Sequence, residues 1–221
     1  MSSTSPQGVI ACNTILPVLG IAAVGLRFYV RSQQKVALKI DDWLQIPALV
    51  LFIGMAIAAL YGVSHRAFGY PTPQLPPSTP AASLLLCEKL WYNIQILQIW
   101  ALASIKTAAI FFYRRIFVPS ARNSVLNWIL LGSIGIIIAW AIGFTAFSVA
   151  ACGSHLTAAW SGYIGFATYC LRTEKFEQAY AISDFLLDTF VLAVPLPSIW
   201  SLHMNIIRKI SVTAVFMFAL M

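Results

Sequence analysis

Charged residues are scarce in this chain, and acidic residues are the scarcest. Only 10% of its 221 residues are charged, with 14 Lys and Arg against 7 Asp and Glu, whereas 60% are hydrophobic. Soluble domains carry roughly 25% charged residues, and a soluble core of this size cannot bury so much apolar surface. The composition therefore excludes an ordinary soluble domain and indicates a membrane protein.

Motifs for enzymatic chemistry and for metal binding are also missing. The sequence contains no Cys-x-x-Cys pair, no His-Glu-x-x-His motif and no Gly-x-Ser-x-Gly elbow. Its histidines are His65, His155 and His203, which are predicted to lie in two different outer loops and at the inner end of a span. They cannot form one site, so we expect no catalytic residues, no metal, no cofactor and no enzymatic activity.

Long apolar runs make up most of the sequence. A membrane-spanning helix needs about 20 apolar residues, whereas β-barrel strands alternate in segments of about 10. The first run follows an N-terminus without the basic residues of a signal peptide, so we expect it to be retained. We predict an all-α transmembrane bundle in a single domain, with five complete spans at about 9–30, 43–62, 91–113, 125–150 and 178–202. A sixth run, at 210–221, is too short to cross, which predicts that this helix is cut in its middle.

Lysine and arginine are distributed unevenly between the two predicted sides. Nine follow spans one, three and five, and four lie on the other side. By the positive-inside rule the nine face the cytoplasm and the N-terminus lies outside. This distribution also explains the net charge of +7. The basic residues cluster beside apolar spans instead of forming an aromatic-basic stripe, so we expect a lipid bilayer and no nucleic acid as partner.

Two polar stripes interrupt the apolar spans. On the third span Gln95 and Lys106 share a helical face with Gln98 beside them, and on the fifth span Asp184 and Asp188 are one turn apart. Such groups usually face the bundle interior or a cavity, so all five are candidates for a ligand or ion site. One reading is a Lys106–Asp188 ion pair, although helical rise separates their depths by about 10 Å. The other is that Lys106 extends towards the interface and each acid has its own partner.

Charge pairs mark the ends of two spans. Asp41 and Asp42 open the second span, where the N-terminus of a helix favours anions, and this is a sufficient structural role. Arg114 and Arg115 close the third span. They are either anchors on the cytoplasmic side or a switch that contacts a cytoplasmic signalling protein.

The cysteines, Cys12, Cys87, Cys152 and Cys170, all fall on the predicted outer side, where disulfides are permitted. Cys170 pairs either with Cys152, which closes one loop, or with Cys87, which ties that loop to the top of the third span. Cys12 and Cys87 are alternatively small buried apolar side chains. We expect one disulfide that includes Cys170.

Several short motifs occur in an order that resembles the fungal rhodopsin-domain integral membrane proteins. This seven-helix family includes CFEM-domain receptors proposed to sense plant surfaces. The motif residues are Asp41-Asp42-Trp43, Gly62, His65, Gly69, Lys106, Tyr113-Arg114-Arg115-Ile116-Phe117, Cys152, Trp160, Cys170, Asp184, Asp188, Pro195-Leu196-Pro197 and Lys209. The resemblance implies a receptor-like sensor of a small-molecule ligand in the plasma membrane. Retinal is not expected, since retinal proteins attach it to a lysine in helix seven, and Lys106 lies on the third span.

Two other functions stay open on the sequence. The ionisable residues Lys106, Asp184 and Asp188 would also suit a small-molecule or proton-coupled transporter, although the sequence shows no inverted repeat. The shortened sixth run would also suit a non-functional truncated relative of the family.

Overall fold

The computed structural model describes residues 6–35, 37–70, 82–117, 124–150, 152–153, 170 and 173–195. Within these ranges the secondary structure is helical, with no β-strand. The helices are α1 (Pro6–Gln33), α2 (Ile40–Trp43), α3 (Gln45–Ser64), α4 (Ala82–Phe117), α5 (Ser124–Ala150) and α6 (Thr173–Ala193). The all-α bundle predicted from the apolar runs is therefore confirmed.

Four segments of the described chain are long and apolar enough to cross a membrane. They are Pro6–Gln33, Ile40–Ser64, Ala82–Arg115 and Val125–Ala150, and the first four predicted spans lie inside them. Helix α6 is not among them because it carries three acids between Glu177 and Asp188. The predicted fifth span begins within α6. Its end beyond residue 195, the partial sixth span at 210–221 and the motif residues Trp160, Leu196, Pro197 and Lys209 lie outside the described residues.

Helix α4 is longer than the apolar pattern indicated. It begins at Ala82, nine residues before the predicted start, because the residues that follow Pro80 are good helix formers with no further proline. Its 36 residues make a helix about 54 Å long, which exceeds the ~30 Å apolar layer of a bilayer. The second span is interrupted instead, with α2 ending at Trp43 and α3 starting at Gln45. Pro47 has no N–H to donate to the Trp43 carbonyl, which accounts for the break.

The bundle core lies where α4, α5 and α6 meet. Ile99 and Ile110 of α4 pack with Leu130 and Ile137 of α5 and with Val191 of α6, all of them buried. On the other flank of α4, α3 lies between α4 and α1. The outward faces carry exposed apolar side chains, including Leu19, Val50, Trp128, Ile182 and Phe185. These surfaces suit contact with lipid, since a soluble protein rarely exposes so many large apolar side chains.

One disulfide is formed in the described part of the chain. It joins Cys152 to Cys170, whereas Cys12 and Cys87 are free thiols. The expectation of a bond that includes Cys170 is confirmed. Cys87 as a disulfide partner is wrong, because the Cys170 sulfur is already bonded to Cys152 and Cys87 lies half-buried in the early turns of α4.

Breaking this disulfide is expected to lower the free energy of unfolding by about 3 kcal/mol. The two cysteines are 18 residues apart, and a cross-link over a loop of about that length removes roughly this much conformational entropy from the unfolded chain. Cys152→Ser should show the loss in an SDS titration of micelle-solubilised protein, whereas Cys87→Ser should not. A non-reducing peptide map that links Cys87 to Cys170 would contradict the assignment.

Candidate functional site

A buried ammonium group on α4 lies between two carboxylates of α6. The Lys106 side chain is 3% exposed, and its Nζ lies 2.8 Å from Asp184 Oδ1 and 2.6 Å from Asp188 Oδ1. The two aspartates are one turn apart, so both project from the same face of α6. The Lys106–Asp188 pair that the sequence suggested is present, and Asp184 joins it. This lysine site therefore carries two negative charges against one positive charge.

The predicted depth difference of about 10 Å does not keep Lys106 and Asp188 apart, because Lys106 Nζ lies 2.6 Å from Asp188 Oδ1. The prediction of about 10 Å requires an unbroken helix from Asp188 to His203. Helix α6 ends at Ala193, just before Pro195, which lacks an amide donor to continue the helical hydrogen bonds. The rise of an unbroken helix therefore does not apply beyond Ala193.

The lysine site is more open on its acidic side than on its basic side. The Asp184 side chain is 19% exposed and the Asp188 side chain 47% exposed, whereas Lys106 is almost fully enclosed. An approaching molecule therefore meets the carboxylates before it meets the ammonium group. The alternative in which Lys106 extends towards the interface and each acid has a separate partner does not describe this arrangement.

An aromatic wall from α5 and α6 completes the lysine site, and sequence reasoning missed its α5 member. The Trp140 ring centroid lies 6.0 Å from Lys106 Nζ, and Trp140 Nε1 donates a hydrogen bond to Ser183 Oγ at 2.9 Å. Tyr180 stacks on Trp140 with the ring centroids 5.5 Å apart. The buried Tyr180 hydroxyl has no hydrogen-bond partner among the described residues. It is thus a polar atom available to a ligand or to water.

The two glutamine candidates do not join the lysine site. Gln95 lies on the same face of α4 as Lys106, but eleven residues of helix separate them by about 16 Å. Gln98 is exposed to a different cavity of about 380 Å³ between α1, α3 and α4, which Asn13 also lines. In the described ranges no three His, Cys, Asp or Glu side chains are placed to hold a metal ion.

A second charged cluster, termed here the arginine cluster, lies where α1, α2 and α4 meet. Arg27 bonds Asp42 Oδ1 at 2.9 Å and Asp41 Oδ2 at 3.0 Å, and Arg31 contacts the same two oxygens at 2.8 and 3.2 Å. Arg115 of α4 lies 3.5 Å from Asp41 Oδ1 and 3.6 Å from Asp42 Oδ2. Both aspartates are buried. The cluster therefore ties three helices together through five side chains.

The predicted capping role of the acids accounts for only part of this geometry. Asp42 Oδ2 does accept a hydrogen bond from the Lys39 amide at 3.2 Å, in the first turn of α2. The partners that the sequence analysis missed are the arginines of α1 and α4. Their spacing was the available signal, because Arg27 and Arg31 are one helical turn apart and face the same way.

Arg114 and Arg115 both have partners within the chain. Arg114 Nε donates to Asn127 Oδ1 of α5 at 3.1 Å, and Arg115 Nη2 approaches the Ala37 carbonyl at 3.5 Å. The two neighbouring arginines therefore point towards different helices. A switch that contacts a signalling protein stays a prediction for both of them.

Comparison with known proteins gives two matches. Residues 26–221 match the fungal rhodopsin domain. The polyenoic acids biosynthesis gene cluster protein Ba17b of Metarhizium anisopliae is similar to this chain, with 30% identity over 210 residues. The alignment covers 90% of this chain and 53% of that protein, so the chain spans about half the length of the curated relative it matches. No solved structure matches the chain.

Proposed function

This chain belongs to the fungal rhodopsin domain family, a multi-pass membrane protein family, and from that premise we propose that it is a receptor-like sensor that works without retinal. In this proposal the N-terminus lies outside the plasma membrane and the arginine cluster lies at the cytoplasmic surface. The input is a small molecule that reaches the lysine site. The output is a change in the cytoplasmic end of the bundle that a signalling protein detects.

The observation that carries this proposal is the ion pair of Lys106 with Asp184 and Asp188. It fastens α6 to α4 inside a largely apolar bundle, where such groups are costly unless paired. A ligand that takes the place of one member releases the others, and this shifts α6 relative to α4. Helix α4 continues without interruption from Lys106 to the arginine cluster, which offers a rigid connection to the other surface.

The same ion pair supports a mechanism without retinal. Imine formation with an aldehyde requires an uncharged amine. Lys106 Nζ is instead enclosed and shared by two carboxylates at 2.8 and 2.6 Å. In this proposal the lysine is a switchable partner of α6, and it does not attach a chromophore.

The sensor proposal predicts that a ligand changes the distance between α4 and α6. Spin labels replacing the exposed residues Ile105 and Ile182, in a chain whose free Cys12 and Cys87 are changed to alanine, report this distance in nanodiscs. The first probe is a long-chain polyenoic acid, because the Metarhizium relative is named for a polyenoic acids cluster and its carboxylate can replace an aspartate on Lys106. We expect a shift of about 1–2 Å. The triple variant Lys106→Met, Asp184→Asn, Asp188→Asn should show none.

A proton-coupled carrier is the second candidate, favoured by the half-exposed Asp188 beside a buried lysine. Proteoliposomes that contain a pH-sensitive dye separate the two functions. A sensor should acidify the lumen under an inward-negative potential no faster than empty liposomes do. A proton flux that Asp188→Asn abolishes, together with an unchanged α4–α6 distance in the presence of the acid, would contradict the sensor proposal.

A further inference from the structure

The arginine cluster opens onto a groove between α1 and α4. The groove has a volume of about 600 Å³. Its lining includes Arg27, Arg31 and Arg115 together with Gln34, Leu26 and Phe112. Three guanidinium groups thus border one concave surface whose other walls are mostly apolar.

The groove carries an excess of positive charge. Three arginines face two carboxylates, Asp41 and Asp42, which leaves one uncompensated positive charge. The other five acids of the chain are Glu88, Glu174, Glu177, Asp184 and Asp188. They lie in the first turns of α4 or in α6, so among the described side chains no other carboxylate neutralises the groove.

Hydrogen-bonding capacity is also left over. Arg115 Nη1 is buried beside the two carboxylates at 3.5 and 3.6 Å, too far for good hydrogen bonds, and has no hydrogen-bond partner among the described residues. The side chains of Arg27, Arg31 and Arg115 remain 28%, 14% and 18% exposed. Guanidinium groups bind phosphate oxygens in pairs, so these three partly exposed side chains are suited to a phosphate group.

The position of the groove indicates an amphiphile. It lies near the ends of α1 and α4, at Gln33 and Phe117, and the end of a membrane-spanning helix is the level at which headgroups are expected. An apolar cavity of about 480 Å³ adjoins it and shares Ala23, Arg27 and Phe112 with its lining. A soluble anion would use only the basic part, whereas a lipid would fill both.

We propose that this groove binds the phosphate headgroup of an anionic membrane phospholipid, with an acyl chain along the adjoining apolar cavity. Basic pockets between membrane helices are suited to such headgroups, and a zwitterionic headgroup brings its own positive charge against the arginines. The groove contains no residue of the lysine site. The lipid-site proposal therefore does not depend on the sensor function.

Native mass spectrometry of the detergent-solubilised chain tests the proposal. Dioleoylphosphatidic acid is expected to bind about 10-fold more tightly than dioleoylphosphatidylcholine, which has the same acyl chains. Arg115→Gln should reduce this preference several-fold. Arg114→Gln removes the same charge one residue away but faces Asn127 of α5, so it should retain the preference. A photoactivatable phosphatidic acid should label wild-type peptides that contain Ala23 or Phe112, which tests the site without any substitution.

Five outcomes would overturn the assignment. Equal binding of the two phospholipids would show that headgroup charge plays no role. An unchanged preference in Arg115→Gln would place the lipid elsewhere. Labelling confined to peptides from α5 and α6 would do the same. Inorganic phosphate that displaces phosphatidic acid at equal concentration indicates a soluble anion site. Oleic acid that binds as tightly as phosphatidic acid indicates a carboxylate site.

Discussion

Replacing Asp184 and Asp188 together with asparagine is expected to lower the free energy of unfolding by about 3–5 kcal/mol, because the change leaves a buried ammonium group without a counter-charge. Lys106 is 3% exposed, and both of its ion pairs, at 2.8 and 2.6 Å, are removed. Asparagine has nearly the same volume as aspartate, so packing is preserved and the loss reports the charge. An SDS titration in mixed micelles, followed by circular dichroism, measures it.

Adding Lys106→Met to this double variant should restore most of the lost stability. With the charge gone from both helices, three neutral side chains of similar volume occupy the same space, and such replacements of buried ion pairs are often neutral. Glu177→Gln is the matched control, since Glu177 is an exposed acid near the start of α6 and its loss should matter little. The lysine site would lose its structural role if the double variant were as stable as this control.

The helices of this protein could be predicted because each depends on a local property of the chain. Apolar runs of membrane length indicated α1, α3, α4 and α5, and the physical requirement behind them is the thickness of the bilayer. The extra turns of α4 before residue 91 could not be predicted in this way, because they contain charged residues and lie outside any apolar run. The break at Leu44 was readable in principle from Pro47, which cannot complete the hydrogen bond across it.

The charged sites were harder to predict because each depends on how helices meet. The sequence indicated Lys106, Asp184 and Asp188 as candidate site residues, since an ionisable residue inside a span is unusual. It could not decide which acid pairs with the lysine. That choice depends on the relative level of α4 and α6, and α6 ends before Pro195. Trp140 gave little signal, because a tryptophan in an apolar span reads as lipid-facing until its hydrogen bond to Ser183 is known.

The contacts of the arginine cluster could not be predicted from the sequence either. Positive residues at the ends of spans are expected on orientation grounds alone, so Arg27, Arg31 and Arg115 needed no further explanation in the sequence. Their convergence on Asp41 and Asp42 involves contacts across 10 to 74 positions of the chain. Only the packing of α1, α2 and α4 makes these five side chains one structural unit.

Asp42→Ala is expected to lower the free energy of unfolding by about 3–5 kcal/mol, because it removes the fully buried acceptor of several donors. The Asp42 carboxylate pairs with Arg27 Nε at 2.9 Å and with Arg31 Nε at 2.8 Å, and it accepts a hydrogen bond from the Lys39 amide at 3.2 Å. The loss should persist in 1 M salt, since ionic screening acts weakly on a carboxylate with no exposed surface. The measurement is the same SDS titration, at low and at high ionic strength.

Lys39→Ala is the matched control, because it truncates an exposed side chain in the same turn and keeps the amide that Asp42 accepts from. It should change stability little. A loss in Asp42→Ala that disappears in high salt would show that the cluster behaves as a surface ion pair and would contradict its burial.

Removing Asp42 also raises the excess charge of the cluster from one to two. The folded fraction of this variant should therefore bind dioleoylphosphatidic acid more tightly than wild type does, although the protein as a whole is less stable. Opposite changes in stability and in lipid affinity would separate the two contributions of the arginines, which hold the helix ends together and leave charge for an anion.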